Sequence, residues 1–226
     1  MIGPDISLSQ LEYLATQDVA FQGAIRRWTV QTYGNFLDVL YDDLSLVIEQ
    51  LETNCQQYPL DENEDATTQR IVDMLAVMGY SANHNAASGG NVDITVELTR
   101  KRWKWIAEAK RFNSTSDLRA GYLQLATRYR PGLPDKQKAH AGLLGYLRRP
   151  KASRALTNWQ EALRKMPEAS GSTFDLCTRR GPMAFYSEHE HEVMGVPFRV
   201  WHVCIALHFD PKDKSGLTAK KYKKLG

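Results

Sequence analysis

The sequence predicts an α/β fold with a mixed central sheet flanked by helices, preceded by a helical region and followed by β-rich elaboration. Three features carry that reading. Apolar residues recur at helical spacing in Phe36, Leu37, Leu40, Leu44, Val47, Ile48 and Leu51. The period then drops to two at Val92, Ile94, Val96 and Leu98, which alternate with Asp93, Thr95 and Glu97. A helical stripe returns at Leu118, Tyr122, Leu125 and Tyr129 before further strand-like segments.

From Leu8 to about Gln57 few strong breakers follow Gly34, so two or three helices are expected. No nucleophile and base are grouped there, and the region is assigned to packing, oligomerisation or partner contact. Pro59 ends the pattern. The acidic stretch Asp61 to Asp65 then leads a helix in which Ile71, Leu75 and Met78 share a face, and Gly79 stops it. A short strand near Tyr80 to His84 and the turn Ser88-Gly89-Gly90-Asn91 precede the strand Val92 to Leu98. The basic turn Arg100 to Arg102 joins it to a second strand, Trp103 to Lys110, as an antiparallel hairpin.

Ser114 to Ser116 offer N-caps for the next helix, which Pro131 ends. A strand at Ala141 to Leu147 and a helix from about Lys151 to Lys165 follow, the latter burying Leu156, Trp159 and Leu163. Beyond Gly171 the segments Phe174 to Cys177, Met183 to His191 and Phe198 to Phe209 read as strands. The tail from Lys212 to Gly226 is basic and has almost nothing apolar to bury. The organisation expected is a helical region over 1–60, a core over 61–170, and a β-rich elaboration with a basic tail over 171–226.

Composition narrows the class. With 42% apolar and 24% charged residues the chain reads as globular, not as disordered, collagen-like or coiled-coil. No apolar run is long enough to cross a bilayer, and Met1 to Gln10 lacks the basic start and apolar stretch of a secretory signal, so a cytosolic location without membrane contact is expected. Cys55, Cys177 and Cys204 are odd in number and widely spaced, which argues for reduced thiols. The net charge of +3 is too small to identify a nucleic-acid partner by itself. Basic clusters at Arg100 to Arg111 and at Arg148 to Arg154 read equally as solvated faces.

The chemistry concentrates in Gly89-Gly90-Asn91-Val92-Asp93-Ile94-Thr95-Val96 and Trp105-Ile106-Ala107-Glu108-Ala109-Lys110. Glu108 and Lys110 stand two positions apart on one strand and leave the same face. If the hairpin pairs tightly, Asp93 meets them. Two carboxylates brought together repel unless a cation intervenes, and oxygen ligands of this kind suit Mg²⁺ or Mn²⁺. The ammonium of Lys110 can position a water or balance charge on an attacked phosphodiester. The competing structural reading is a surface hairpin with an exposed salt bridge.

These residues resemble the PD-(D/E)XK, or restriction-endonuclease-like, nuclease superfamily, in which an acidic residue after a short turn and a Glu-x-Lys on the next strand form the active site. Val92-Asp93 stands where the family name has Pro-Asp. The resemblance spans about Glu62 to Arg149. It implies a metal-binding acidic residue on the preceding helix, carried here to Glu64, with Glu62 and Asp65 as weaker choices. It also implies a helical Gln assisting the site, carried to Gln124. RecB-like branches place a Tyr four residues after that Gln; here the fourth position is Arg128 and Tyr129 comes one later. Arg128 is open to a phosphate contact or to plain solvation.

The resemblance therefore implies an endonuclease-like phosphodiesterase dependent on Mg²⁺ or Mn²⁺, with Glu64, Asp93 and Glu108 holding metal and Lys110 acting on the attacking water. DNA is favoured over RNA as substrate, and restriction, repair or anti-phage defence are the roles suggested by analogy. A second copy or a protein partner would dock through the N-terminal helices.

Three other features are weighed separately. Gly89 and Gly90 read first as turn chemistry, and no P-loop is present. His189, His191, His202, Cys204 and Cys177 include zinc-ligand types, the basis of an alternative reading as a zinc-stabilised nucleic-acid-binding module, but lack the usual close spacings. Trp103, Trp105 and Trp159 read as packing before base stacking. The remaining alternative is a nuclease-like fold that binds without cleaving.

Overall fold

The computed structural model describes residues 7–59, 61–88, 90–131 and 138–213; Gly89 and the basic stretch beyond Asp213 lie outside them. The described chain begins with three helices, α1 (Leu8–Gln17), α2 (Val19–Thr29) and α3 (Tyr33–Thr53). α4 (Glu64–Val77) precedes a meander of β1 (Ser81–Ala87), β2 (Asn91–Leu98) and β3 (Trp103–Arg111). α5 (Thr115–Leu123) crosses to β4 (Ala139–Leu147), and α6 (Ala152–Arg164) leads to β5 (Thr173–Leu176), β6 (Ala184–Glu190) and β7 (Pro197–Ala206).

All seven strands form one sheet in the order β1-β2-β3-β4-β7-β6-β5. The pairs β1–β2, β2–β3, β7–β6 and β6–β5 are antiparallel, whereas β3–β4 and β4–β7 are parallel. The sheet is thus mixed and covered by helices, as the alternation of periods predicts. The expected divisions at 60 and 170 do not separate independent cores, because β7 lies beside β4 in the middle of the sheet and α3 supplies one of its covering layers.

One face is covered by α3 and α4. Phe36, Leu40, Leu44, Ile48 and Leu51 of α3 pack with Ile71 and Leu75 of α4 onto Ile94, Val96, Trp105, Ala107, Leu144, Trp201 and Val203. Packing is therefore what the 1–60 region contributes through α3, while α2 buries no residue and leaves Val19 and Trp28 exposed. Gly142 on this face is held by sterics, since a Cβ there would lie 2.5 Å from the Trp105 ring. The other face is covered by α5 and α6, with Tyr122, Leu125, Leu156, Trp159 and Leu163 meeting Ile106, Ala141, Leu143, Phe198, Val200 and Cys204. No helix among the described residues is long and apolar enough to cross a membrane.

Both faces of β7 are buried, although Trp201, Val203, Ile205 and Leu207 alternate in the sequence as the apolar face of a half-buried strand would. His202, on the α6 side, receives the Trp159 indole N–H at Nδ1 (3.1 Å), which leaves Nε2 as the protonated nitrogen, donating to Ser187 Oγ (2.8 Å). Burial, and then the charge of His189, push its pKa down from 6.5 to about 3. A group depressed in the fold stabilises fully above its unfolded pKa and loses that stability as pH falls toward the folded value. From pH 6.5 to 5 this one group should cost about 2 kcal/mol. Chemical denaturation at the two pH values should show a steeper loss for the wild type than for His202→Gln; equal losses would remove His202 as the cause.

Candidate active site

Asn63 caps α4 by accepting the Ala66 N–H (2.8 Å), so Glu64 stands on the first helical turn, at the strand end where β3 stops. Glu64 Oε2 accepts the backbone N–H of Arg111 at 2.5 Å. β2 pairs with β3 only from Ile94 onward. Where β2 leaves, the Ala109 N–H is taken up by Asp93 Oδ2 at 2.8 Å. The departure coincides with Asn85 on β1, which lies across from Asp93 in the register and adopts a left-handed φ of 56°. Beyond that point the hairpin leans over the α5 face, as Val92 joining the α5–α6 core and Asn91 O accepting the Tyr129 hydroxyl (2.7 Å) both require.

Glu108 and Lys110 project from β3 on that same face. Lys110 Nζ donates to Glu108 Oε1 at 2.5 Å and lies 3.6 Å from both Asp93 Oδ2 and Glu64 Oε1. Glu64, Asp93, Glu108 and Lys110, drawn from α4, β2 and β3, therefore meet in one place. The weaker choices are engaged elsewhere: Glu62 is buried between Arg70 (2.5 Å) and Arg148 (3.2 Å), and Asp65 is exposed and faces His84 at 3.7 Å.

The electrostatics are those of crowded carboxylates. Burial first, and then the charge of Asp93, push Glu108 up to about 7 against the opposing pull of Lys110. Glu64 is raised by burial, opposed by Lys110 and the Arg111 N–H. Burial alone would lower Lys110, but Glu108, Asp93 and Glu64 together hold it above its ordinary value. Glu108 is 1% exposed and its Oε2 accepts no hydrogen bond, because the neighbouring Tyr129 hydroxyl gives its proton to Asn91.

α5 closes over this pair. Gly121 makes that approach possible, as a Cβ there would stand 3.1 Å from Cγ of both Glu108 and Lys110. One turn on, Gln124–Arg128 forms a π-helical turn in which the Tyr129 N–H reaches Gln124 O at 3.0 Å. The wider turn takes up one extra residue, so Tyr129 stands directly after Gln124 on the helix surface and accepts the Gln124 amide N–H at 3.0 Å. Tyr129 was left in doubt because its spacing from Gln124 is one residue too long for an α-helical pair. The signal was present in the spacing and becomes readable once a π turn is admitted.

The alternative zinc ligands do not assemble. Both ring nitrogens of His202 are bonded, His191 Nε2 donates to Leu125 O (3.1 Å), and His189 meets the Tyr122 hydroxyl. Cys177 lies on the opposite face of the sheet from Cys204. Among the described residues, no group of three or more His, Cys, Asp or Glu side chains is gathered closely enough to hold a metal ion as placed. At the carboxylate site the Lys110 ammonium lies within 3.6 Å of all three carboxylates. The donor set is nonetheless of the right chemistry, with three hard oxygen donors and a buried, unbonded Glu108 Oε2. No family model, curated protein or solved structure matches this chain.

A raised folded pKa means that Glu108 favours folding only while protonated, an advantage present below pH 4.5 and lost as pH rises through about 7. Glu108→Gln should therefore be more stable than the wild type at pH 8, by on the order of 1–3 kcal/mol, and should lose that advantage near pH 5. Urea denaturation at both pH values checks this, and a variant less stable than the wild type at pH 8 would contradict it.

Proposed function

We propose that this protein is a metal-dependent phosphodiesterase of the PD-(D/E)XK type that hydrolyses nucleic acid, with DNA favoured over RNA. The observation that carries the reading is the meeting of Glu64, Asp93 and Glu108 around Lys110, residues separated by as much as 46 positions in the chain, from Glu64 to Lys110. Keeping three carboxylates and an ammonium together at a half-buried site is costly and has no evident structural return, which favours a chemical use.

Glu64, Asp93 and Glu108 would hold Mg²⁺ or Mn²⁺, which supplies Lewis acidity toward water and the phosphoryl oxygens. Lys110, displaced from the centre of the carboxylates but still anchored on β3, would orient the attacking water and offset negative charge developing on the phosphate. Glu108 keeps a second, buried oxygen without a hydrogen-bond partner. Gln124 and Tyr129 hold Asn91, and through it the strand that carries Asp93. The reaction adds water across one P–O ester bond and leaves a phosphate monoester and a free hydroxyl.

Mn²⁺ or Mg²⁺ should support cleavage of a DNA substrate, and chelation should abolish it; cutting undiminished in excess chelator would exclude the mechanism. Lys110→Ala should lower turnover by orders of magnitude while retaining Mn²⁺ binding by calorimetry, because the carboxylates remain and a competing positive charge is gone. A stable Lys110→Ala protein that cleaves at the wild-type rate would sink the assignment of Lys110.

A further inference from the structure

Arg128, Arg130 and Lys104 lie where the β1–β2 turn meets the π turn, and none of them makes an ion pair among the described residues. Several arginines are paired with carboxylates, as Arg27 is with Asp43, Arg148 with Glu62, Arg179 with Asp42 and Arg180 with Glu52, while others such as Arg102 and Arg154 are not, among the described residues. Arg128, Arg130 and Lys104 have no such partner among the described residues; Arg128 and Arg130 are exposed, yet each of the three is in contact with neutral groups. The Arg128 guanidinium lies against the backbone of Gly90, where a Cβ would stand 2.6 Å from its Nε, and its Cζ is 5.7 Å from the centre of the Tyr129 ring. Arg130 Nη1 donates to Arg128 O at 2.9 Å and to Tyr129 O at 3.3 Å. Lys104 Nζ donates to Ser88 Oγ at 3.1 Å, and Ser88 in turn donates to Arg130 O at 3.0 Å.

These contacts tie the β1–β2 turn to the π turn and set the side chains of Lys104 and Arg128 against residues two positions apart, Ser88 and Gly90. Neutral oxygens satisfy the donors without cancelling the charge. Gly90 also precedes Asp93 by only three positions, about 10 Å of extended strand. A chain of phosphates approaching the carboxylates would be repelled by them, and an adjacent set of fixed positive charges is what offsets that repulsion.

We propose that Arg128, Arg130 and Lys104 form a clamp for the phosphodiester backbone of DNA, holding it over the β1–β2 turn next to the reacting bond. The proposal rests on the phosphodiesterase reading for its purpose, but binding can be measured apart from cleavage. Arg128 contributes a planar fork suited to two phosphate oxygens, while Lys104 acts as a point charge.

The test is fluorescence anisotropy of a short DNA duplex against full-length protein in excess chelator, across a salt series. Arg128→Ala should weaken binding and make the log–log salt dependence shallower by about 1, and the Arg128/Arg130/Lys104 triple alanine variant by about 3. Arg128→Lys should restore the slope while recovering only part of the affinity. Lys165→Ala, which removes an exposed cation at the end of α6, is the control for net charge. Melting temperatures establish that each variant is folded.

The clamp is overturned if the wild type does not bind DNA in chelator, or if the folded triple variant behaves like Lys165→Ala. Binding that depends on these residues in a protein that never cleaves with Mn²⁺ would uphold the clamp and reject the phosphodiesterase reading.

Discussion

Glu64, Asp93 and Glu108 bring three carboxylates to within 3.6 Å of one ammonium, where Glu108 is almost wholly shut off from water. Everything packed there has to oppose their repulsion. Two of the three are held by backbone N–H groups, Ala109 for Asp93 and Arg111 for Glu64, so their positions do not depend on the ammonium. Glu108 takes no backbone N–H of this kind; Lys110 donates to it and the Tyr129 hydroxyl stands beside it. The local structure follows from this: β2 must leave β3 early to expose the Ala109 N–H, α4 must begin against the last residue of β3, and α5 must carry glycine where it crosses the pair.

The parts of the fold that were legible are those whose burial repeats along the sequence. The alternation through Val92, Ile94 and Val96 located β2, although the lean of the hairpin carries Val92 to the α5–α6 core while Ile94 and Val96 stay on the other face, and the two-residue offset of Glu108 and Lys110 placed both on one face. The helical stripe from Phe36 to Leu51 was equally clear. Its task was not, because an amphipathic helix reads the same whether it covers a sheet of its own chain or awaits a partner. Only the contacts of α3 with Trp105, Trp201 and Val203, far along the sequence, decide that.

At the site, the choice of Glu64 over Glu62 followed helical phase, while the burial of Glu62 between Arg70 and Arg148 depends on a residue 86 positions away and left no local trace. The partnership of Gln124 with Tyr129 was obscured by a single extra residue, since regular helical geometry separates positions that the π turn reunites. His202 and Cys204 lay on what looked like the outer face of a half-buried strand. A central strand carries apolar and small polar residues on both faces without a visible period, so double-sided burial is hard to distinguish from one-sided burial there.

The place of β7 between β4 and β6 also bears on how the protein is made. β4 is complete at Leu147, yet the strand that covers its free edge spans Pro197–Ala206. During synthesis at roughly 5–20 residues per second, several seconds pass in which β4, apolar on both faces, has an unpaired edge. α5 and α6 can form locally in that interval but cannot cap the edge. Nascent chains stalled between these strands should therefore be the species most prone to pair with one another or to engage chaperones, and slow closure of this long-range parallel pair should dominate the folding time.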